Sequence, residues 1–480
     1  SRNPLVNPRF TAEKIQGTID KLDPLIYPNV DWMDFLFKDF SHSQSANINI
    51  TGGTQRVDYF ASASVNLDHG MLKSNKLNDF SNNVRNIRYS FQSNVNFNIT
   101  KTTKLGVRLN AHMNDYDSPK YGKDASLATE SIYSNLFVAP GVYFAPQLPA
   151  RNHEDHILFG NSLGGPSMIG GGTFYHPYAE AVTGHTERFT STFTASLNLD
   201  QKLDFLIQGL SFHAKGSFRN YSYTRAIKSY SPFYYAITDY WRNNDGTFDY
   251  DYALLEPGTT ALTTSNTVSG NRRINLEANL NYQRRFDMHD VSAMFVYYQR
   301  EQDNNTPSSQ DFYATLPQRH QGLSGRITYG FDDRYLFETN FGYTGSENFL
   351  EGERWGFFPS VAVGYLVSNE EFFTSLRKHI SSLKLRASYG LAGNDQIGNN
   401  VRFPYVTNLA YGGITDMEYY FGHNWSSSDR KYGPIIQKFG TLDSSWETST
   451  KLNIGVDAQI LKHFNFTFDY FYEKRKDIFM

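Results

Sequence analysis

The residues best able to do chemistry in this chain fall into three groups, and each fails a test of spacing. His153-Glu154-Asp155-His156, with His176 beyond, has the composition of a metal-ligand set. Its two histidines are three apart rather than in the His-Glu-x-x-His arrangement that aligns ligands on one helix face, so a solvated loop is the favoured reading. Gly164-Gly165 and Gly170-Gly171-Gly172 have the flexibility of a phosphate cradle, but no Gly-Lys-Ser/Thr follows and loop turns are expected. The acidic pairs Asp332-Asp333 and Glu370-Glu371 have the residue type of glycosidase carboxylates. The first pair falls in an expected two-residue turn, and adjacent strand residues point to opposite faces, so catalysis is not read there. No nucleophile elbow or triad is found. The chain is therefore read as a non-enzyme with no catalytic residue, metal or cofactor.

Aromatic residues interleaved with charge are the better site candidates. Tyr221, Tyr223, Tyr230, Phe233, Tyr234, Tyr235, Tyr240 and Trp241 mix with Arg219, Arg225, Lys228, Arg242 and Asp245 in an expected long loop over 214–269. Tyr411, Asp416, Tyr419, Tyr420, His423, Asn424 and Trp425 form a comparable set in an expected loop over 391–446. Flat rings stack on sugar faces or peptide side chains, while charges and amides fix orientation. The candidate ligand-binding residues are Tyr221, Tyr223, Tyr234, Tyr235, Trp241, Tyr419, Tyr420 and Trp425. The competing reading is that these rings pack the loops together or against a lid protein.

What must position these residues follows from composition. The 480 residues include 38 Phe, 33 Tyr and 5 Trp, with 19% charged residues and a net charge of −3. Near-neutrality argues against a nucleic-acid binder, and the absence of cysteine excludes disulfides and thiolate chemistry. Many rings with polar spacing suit sheets that have one apolar and one wet face. No apolar run approaches the roughly 20 residues of a membrane-spanning helix, but barrel strands need only about 10 alternating ones. Ser1-Arg2-Asn3-Pro4 lacks a signal-peptide pattern, so either a leader was removed or the sequence begins inside a longer protein.

Period-2 alternation is found throughout. Phe189, Phe193, Ala195, Leu197 and Leu199 stand against Thr190, Thr192, Thr194, Ser196 and Asn198, and Ile274, Leu276, Ala278 and Leu280 against Asn275, Glu277 and Asn279. The pattern predicts 14 strands, at 46–51, 57–67, 87–99, 103–113, 187–199, 203–213, 270–283, 289–300, 321–331, 334–344, 357–368, 383–390, 447–460 and 463–473. Short and long connections alternate along this series, with 369–382 alone middling on the short side and suited to a small helix, and this is the parity of an up-and-down antiparallel sheet with turns at one rim and loops at the other. Lipid cannot satisfy exposed backbone groups, so such a sheet spans a membrane only as part of a closed barrel. A soluble β-sandwich or β-helix is the rival, disfavoured by loops of such length.

Several segments resemble the SusC/RagA family of TonB-dependent outer-membrane transporters. They are Asp332-Asp333-Arg334-Tyr335, then Gly345-Ser346-Glu347-Asn348, Arg354-Trp355-Gly356-Phe357-Phe358-Pro359 and Gly393-Asn394-Asp395. Weaker echoes occur at Trp32-Met33-Asp34, Asp68-His69-Gly70 and Trp446-Glu447. The resemblance implies an all-β transmembrane antiparallel barrel of 22 strands filled by a plug, of which this chain supplies about 14 strands and no plug. It further implies TonB-dependent import of glycans or peptides across the outer membrane of a Gram-negative bacterium. The partners it implies are a SusD-like surface lipoprotein as lid and the TonB complex. On this basis residues 1–45 are expected to be an extracellular loop region and 46–480 the barrel, with extracellular loops at 114–186, 214–269 and 391–446. A surface binding module and a structural outer-membrane protein are the alternatives.

Overall fold

The computed structural model describes residues 10–73, 77–78, 80–120, 136, 139–148, 157–162, 173–306, 312–396, 402–411, 418–420 and 430–478. Its strands in chain order are β1 (Ser43–Gly53), β2 (Val57–His69), β3 (Arg85–Asn98), β4 (Thr103–Pro119), β5 (Leu158–Gly160), β6 (Gly184–Lys202) and β7 (Leu210–Ser229). These are followed by β8 (Phe233–Arg242), β9 (Phe248–Glu256), β10 (Thr263–Phe286), β11 (His289–Asn304), β12 (Gln318–Phe331), β13 (Tyr335–Ser346) and β14 (Trp355–Leu366). The last are β15 (Ile380–Asn394), β16 (Asn408–Tyr411), β17 (Glu418–Tyr420), β18 (Arg430–Tyr432), β19 (Pro434–Lys438), β20 (Glu447–Ile460) and β21 (Phe464–Lys476).

Fourteen of them form one sheet in the order β1-β2-β3-β4-β6-β7-β10-β11-β12-β13-β14-β15-β20-β21, each antiparallel to its neighbour. The three longest connections, 120–183, 230–262 and 395–446, consequently leave one rim, and the other rim carries tight turns together with the link 367–379. Register joins the alternating residues into two continuous faces. Leu197 lies opposite Val107 and Gly216, Leu276 opposite Gly216 and Gln299, Tyr343 opposite Leu323 and Phe357, and Val456 opposite Leu385 and Phe468. This apolar face carries the exposed rings and aliphatic chains, among them Phe193, Leu276, Phe466 and Phe468. The other face is lined by residues such as Asn49, Gln92, Asn110 and Thr194. An outward apolar belt opposite a polar interior is the arrangement of a transmembrane β-barrel wall. The outermost strands β1 and β21 each pair on one side only among the described residues, so this stretch is part of a barrel wall.

Turn chemistry explains the tight rim. Asp332 and Asp333 both have positive φ, at 52° and 50°, as do Leu461 and Lys462 at 51° and 63°. Two consecutive left-handed residues match the twist of a hairpin. The expected strand at 203–213 is displaced. Residues 203–209 form the turn, closed by Gly209 at φ 88° and by its N–H donating to Asp204 Oδ1 at 2.8 Å, and the strand runs over 210–229. The apolar sequence Phe205-Leu206-Ile207 imitates a strand but is exposed at the rim.

Away from the sheet, the loops build their own core. Helices α2 (Trp32–Leu36) and α3 (Pro177–Val182) contribute to it together with β5 and β8, while α1 (Ala12–Ile19) sets Gly17 against Tyr27. Trp32, Leu36, Leu72, Phe144, Phe159, Phe174, Val182 and Tyr234 pack in one cluster, so the N-terminal segment and the β2–β3, β4–β6 and β7–β10 connections meet there.

Candidate functional site

At the centre of the loop core lies His176, with no solvent exposure. Phe144 stacks on its imidazole at 4.8 Å between centroids, Trp32 and Phe159 meet it edge-on at 5.4 and 5.5 Å, and Tyr234 lies parallel at 6.2 Å. Its Nδ1 accepts from the N–H of Ala179 at 3.2 Å and so caps α3, which begins with Pro177 at its first turn. With Nδ1 accepting, Nε2 carries the proton and faces the Ala145 carbonyl at 3.4 Å. Burial pushes the imidazole pKa down to about 3, so the ring is neutral. His176 is thus the keystone of the loop core. The other members of the metal-like set, 153–156, lie outside the described residues.

The aromatic candidates divide into distinct environments. Tyr234 and Tyr235 are buried, the first against Phe159 and His176 and the second beside Leu148, Leu158 and Tyr252. Packing engages both rings, and Tyr235 also lines a recess of about 280 Å³ together with Leu148, Gly160 and Tyr240. Trp241, on the β8–β9 hairpin, is exposed. Tyr419 is exposed on the β17–β18 hairpin and Tyr420 belongs to the same strand, while Trp425 lies outside the described residues. Tyr221 and Tyr223 are not in a loop at all. They sit on β7, opposite Thr192 and Thr190, and therefore belong to the polar inner face. The connection from β7 to β10 is correspondingly shorter than expected, 230–262 rather than 214–269.

Below these tyrosines the inner face is basic. Arg219 lies directly opposite Arg273, Lys215 opposite Glu277, and Arg300 opposite both Asn275 and His320. Arg273 Nε donates to Gln302 Oε1 at 2.9 Å, and Asn275 Nδ2 to Ser217 Oγ at 3.1 Å. A recess of about 490 Å³ is lined by Lys215, Ser217, Asn275, Glu277, Tyr298, Arg300 and His320. The alternation of Arg219, Tyr221 and Tyr223 with Phe218 and Asn220 was the sequence signal for this wall, and the early placement of strand 203–213 concealed it.

The residues of the family-like motif hold the loop rim together. Ser346 is buried and its N–H donates to the Arg354 carbonyl at 2.9 Å, while its Oγ accepts from Asn348 N–H at 3.3 Å. Asn348 Nδ2 donates to the Asp395 carbonyl at 3.1 Å, tying two loops, and Asn394 Nδ2 donates to Glu447 Oε2 at 3.0 Å. Trp355 stacks on Tyr343 at 4.9 Å and covers Gly345. Phe357 stands on the outer face opposite Tyr343, and Pro359 opposite Phe341. Phe358 packs on Trp446 at 5.2 Å, filling the space over Gly356 and Gly393, where a Cβ would fall 2.3 and 1.9 Å from its ring. Glu347 pairs with Arg402 at 2.5 Å, and Arg402 also donates to the carbonyls of Tyr313, Leu316 and Pro317. Nothing in the local pattern singled out Arg402, whose partners are 55 to 89 residues away.

At the opposite rim, Glu370 accepts from the Tyr335 hydroxyl at 2.7 Å, the Tyr365 hydroxyl at 3.2 Å and Arg334 at 3.0 Å. The Tyr335 hydroxyl above all, then Tyr365 and Arg334, holds its carboxyl below the ordinary value. Asp333 pairs with Arg285 and Asp332 with Arg334. Both acidic pairs of the sequence thus include carboxylates committed to rim contacts.

No family model matches the chain. It is 24% identical to TonB-dependent receptor P3 of Formosa agariphila, over 98% of this chain and 45% of that protein. It is 25% identical to TonB-dependent receptor SusC of Bacteroides thetaiotaomicron, over 90% of this chain and 41% of that protein. The chain therefore spans less than half the length of these curated relatives. Among solved structures, the RagAB peptide transporter superposes with a TM-score of 0.58 at 18% identity, over 98% of this chain and 51% of that chain. The RagAB peptide importer in its closed-closed state gives a TM-score of 0.59. These relatives are receptors and transporters rather than enzymes. TonB-dependent receptors are outer-membrane β-barrel proteins, and a sheet with one apolar and one polar face fits that setting. In sequence over nearly its whole length, and in fold, the chain is similar to the barrel wall of TonB-dependent receptors of the SusC/RagA kind.

Proposed function

We propose that the full-length protein imports an oligosaccharide or a peptide across the outer membrane in a TonB-dependent manner, beneath a SusD-like lipoprotein lid, and that it is not an enzyme. One observation carries this reading: a lipid-facing wall whose inner face is polar and aromatic, capped at one rim by loops packed into a core of their own. Ordering long loops costs about 1–2 kcal/mol per residue in backbone entropy, and a loop core built around a buried histidine repays part of it. A structural barrel would not need that investment. In this reading residues 1–45 and the loops at 120–183, 230–262 and 395–446 face outward, and the tight turns face the periplasm. Tyr221 and Tyr223 meet cargo in the lumen, while Trp241 and Tyr419 meet cargo or lid. Tyr420 and Trp425 belong to the same outward segment.

The test is growth of a deletion strain on a panel of glycans and peptides, with and without the complementing full-length gene. Complementation that restores uptake of one cargo, and loses it when TonB is removed, supports the reading. Identical growth on every cargo rejects it. For the lid, Trp241→Ala with Tyr419→Ala should weaken co-purification of a surface lipoprotein while leaving membrane insertion intact.

A further inference from the structure

The inner face of β7, β10 and β11 places three arginines on adjacent strands. Arg219 and Arg273 are directly opposite, and Arg300 is two residues from Gln302, the residue opposite Arg273. Opposed side chains in a sheet start about 5 Å apart and diagonal ones about 7–8 Å, so the three guanidinium groups can reach one ligand. Lys215 stands on the same face, two rows below Arg219. One carboxylate shares this face, Glu277, which stands opposite Lys215 and two rows from Arg273 and accepts from Asn279. Among the described residues none of the four cations makes an ion pair. Like charges this close repel one another unless an anion joins them. Arg273 is held by Gln302, a neutral acceptor that fixes the guanidinium without neutralising it. The recess of about 490 Å³ beside Arg300 and His320 has room for a sugar unit. Tyr221 and Tyr223 stand on the same face two and four residues above Arg219, where rings can stack.

We propose that this patch is an anion-recognition site for the imported cargo, and that the cargo is an oligosaccharide bearing carboxylates or sulfate esters. This rests on the uptake reading above and names its substrate class. Guanidinium groups bind carboxylate and sulfate oxygens in pairs, which suits uronate or sulfated sugars. A peptide also brings an ammonium group, which would need carboxylates, and among the described residues the patch offers Glu277 alone. The flanking amides of Asn275 and Gln302 serve sugar hydroxyls.

The experiment measures binding of three probes to the purified full-length receptor in detergent: an oligogalacturonate, a neutral oligosaccharide of equal length, and an acidic peptide of equal charge. The oligogalacturonate should bind at least about tenfold more tightly than either, with an affinity that falls as salt rises. Combined Arg219→Gln, Arg273→Gln and Arg300→Gln should abolish that preference, bringing the oligogalacturonate affinity down to that of the neutral oligosaccharide measured on the same variant. Arg300→Lys keeps the charge, and should retain part of the preference should the triple variant not fold. Equal affinity for charged and neutral sugar, as when the protein's own acidic groups already occupy the arginines, would overturn the proposal while leaving glycan uptake standing. Tighter binding of the peptide would overturn the saccharide assignment. Identical growth of the deletion and complemented strains on every cargo would instead reject the uptake reading itself.

Discussion

Acidification should loosen the loop core before it affects the barrel, and His176 sets how much. The imidazole is neutral in the packed core, with a pKa near 3, and would regain an ordinary value near 6.5 when the loops open. Because the packed-state value is the lower one, its contribution is complete above pH 6.5 and is lost as pH falls towards 3. The slope is about 1.4 kcal/mol per pH unit, so moving from pH 7 to pH 5 costs the core about 2 kcal/mol, roughly a thirtyfold rise in the open population. Hydrogen exchange on the full-length receptor in detergent, corrected for the intrinsic pH dependence, reads this directly. The amides of β5, β8 and α3 should lose protection between pH 7 and pH 5, while those of β10 to β13 hold theirs. His176→Asn retains an N-cap acceptor for Ala179 but does not titrate, so its loops should show no such pH dependence. Loop amides indifferent to pH in the native protein, or equally sensitive in His176→Asn, would refute the role given to this histidine.

Three further outcomes follow from packing and facing. Gly393→Ala drives a methyl into the Phe358 ring and should cost about 1–3 kcal/mol, read as a lower melting temperature of the loop rim with strands intact. Arg402→Gln leaves Glu347 without its ion-pair partner and should cost on the order of 3 kcal/mol locally, seen as faster exchange in 347–354 and in the segment after residue 402. Leu276→Arg should cost about 2–4 kcal/mol in refolding titrations into lipid, and Glu277→Gln on the opposite face should be mild.

Much of the fold was legible because a lipid-exposed sheet is governed by local rules. Side chains alternate strictly between two solvents, so β20 matches its expected bounds and all fourteen strands are found in the expected order. The displaced strand at 203–213 shows the limit: Phe205 and Ile207 are apolar at spacing two, yet only Gly209 and Asp204 decide that this stretch turns. The rim knot was legible as a motif but not as a mechanism. That Gly393 yields to Phe358, and Asn348 reaches Asp395, depends on loops meeting across the sheet. The loop core was the least legible, since Trp32, Phe159, His176 and Tyr234 share no period and come together only by tertiary packing. The burial of Tyr234 and Tyr235 was hidden for that reason, and Tyr221 and Tyr223 read as loop residues because the strand carrying them was placed too early.

The central claim is that one face of this sheet meets lipid and the other water, and its most direct measurement is depth-sensitive quenching. The chain contains no cysteine, so single cysteines at Leu276, Phe466, Glu277 and Asn279 can each carry a fluorophore without competing labels in this stretch. In the full-length receptor reconstituted into liposomes containing brominated lipid, labels at positions 276 and 466 should be quenched by lipid. Those at 277 and 279 should be quenched by aqueous iodide alone. Equal lipid quenching at neighbouring positions 276 and 277 would contradict the account.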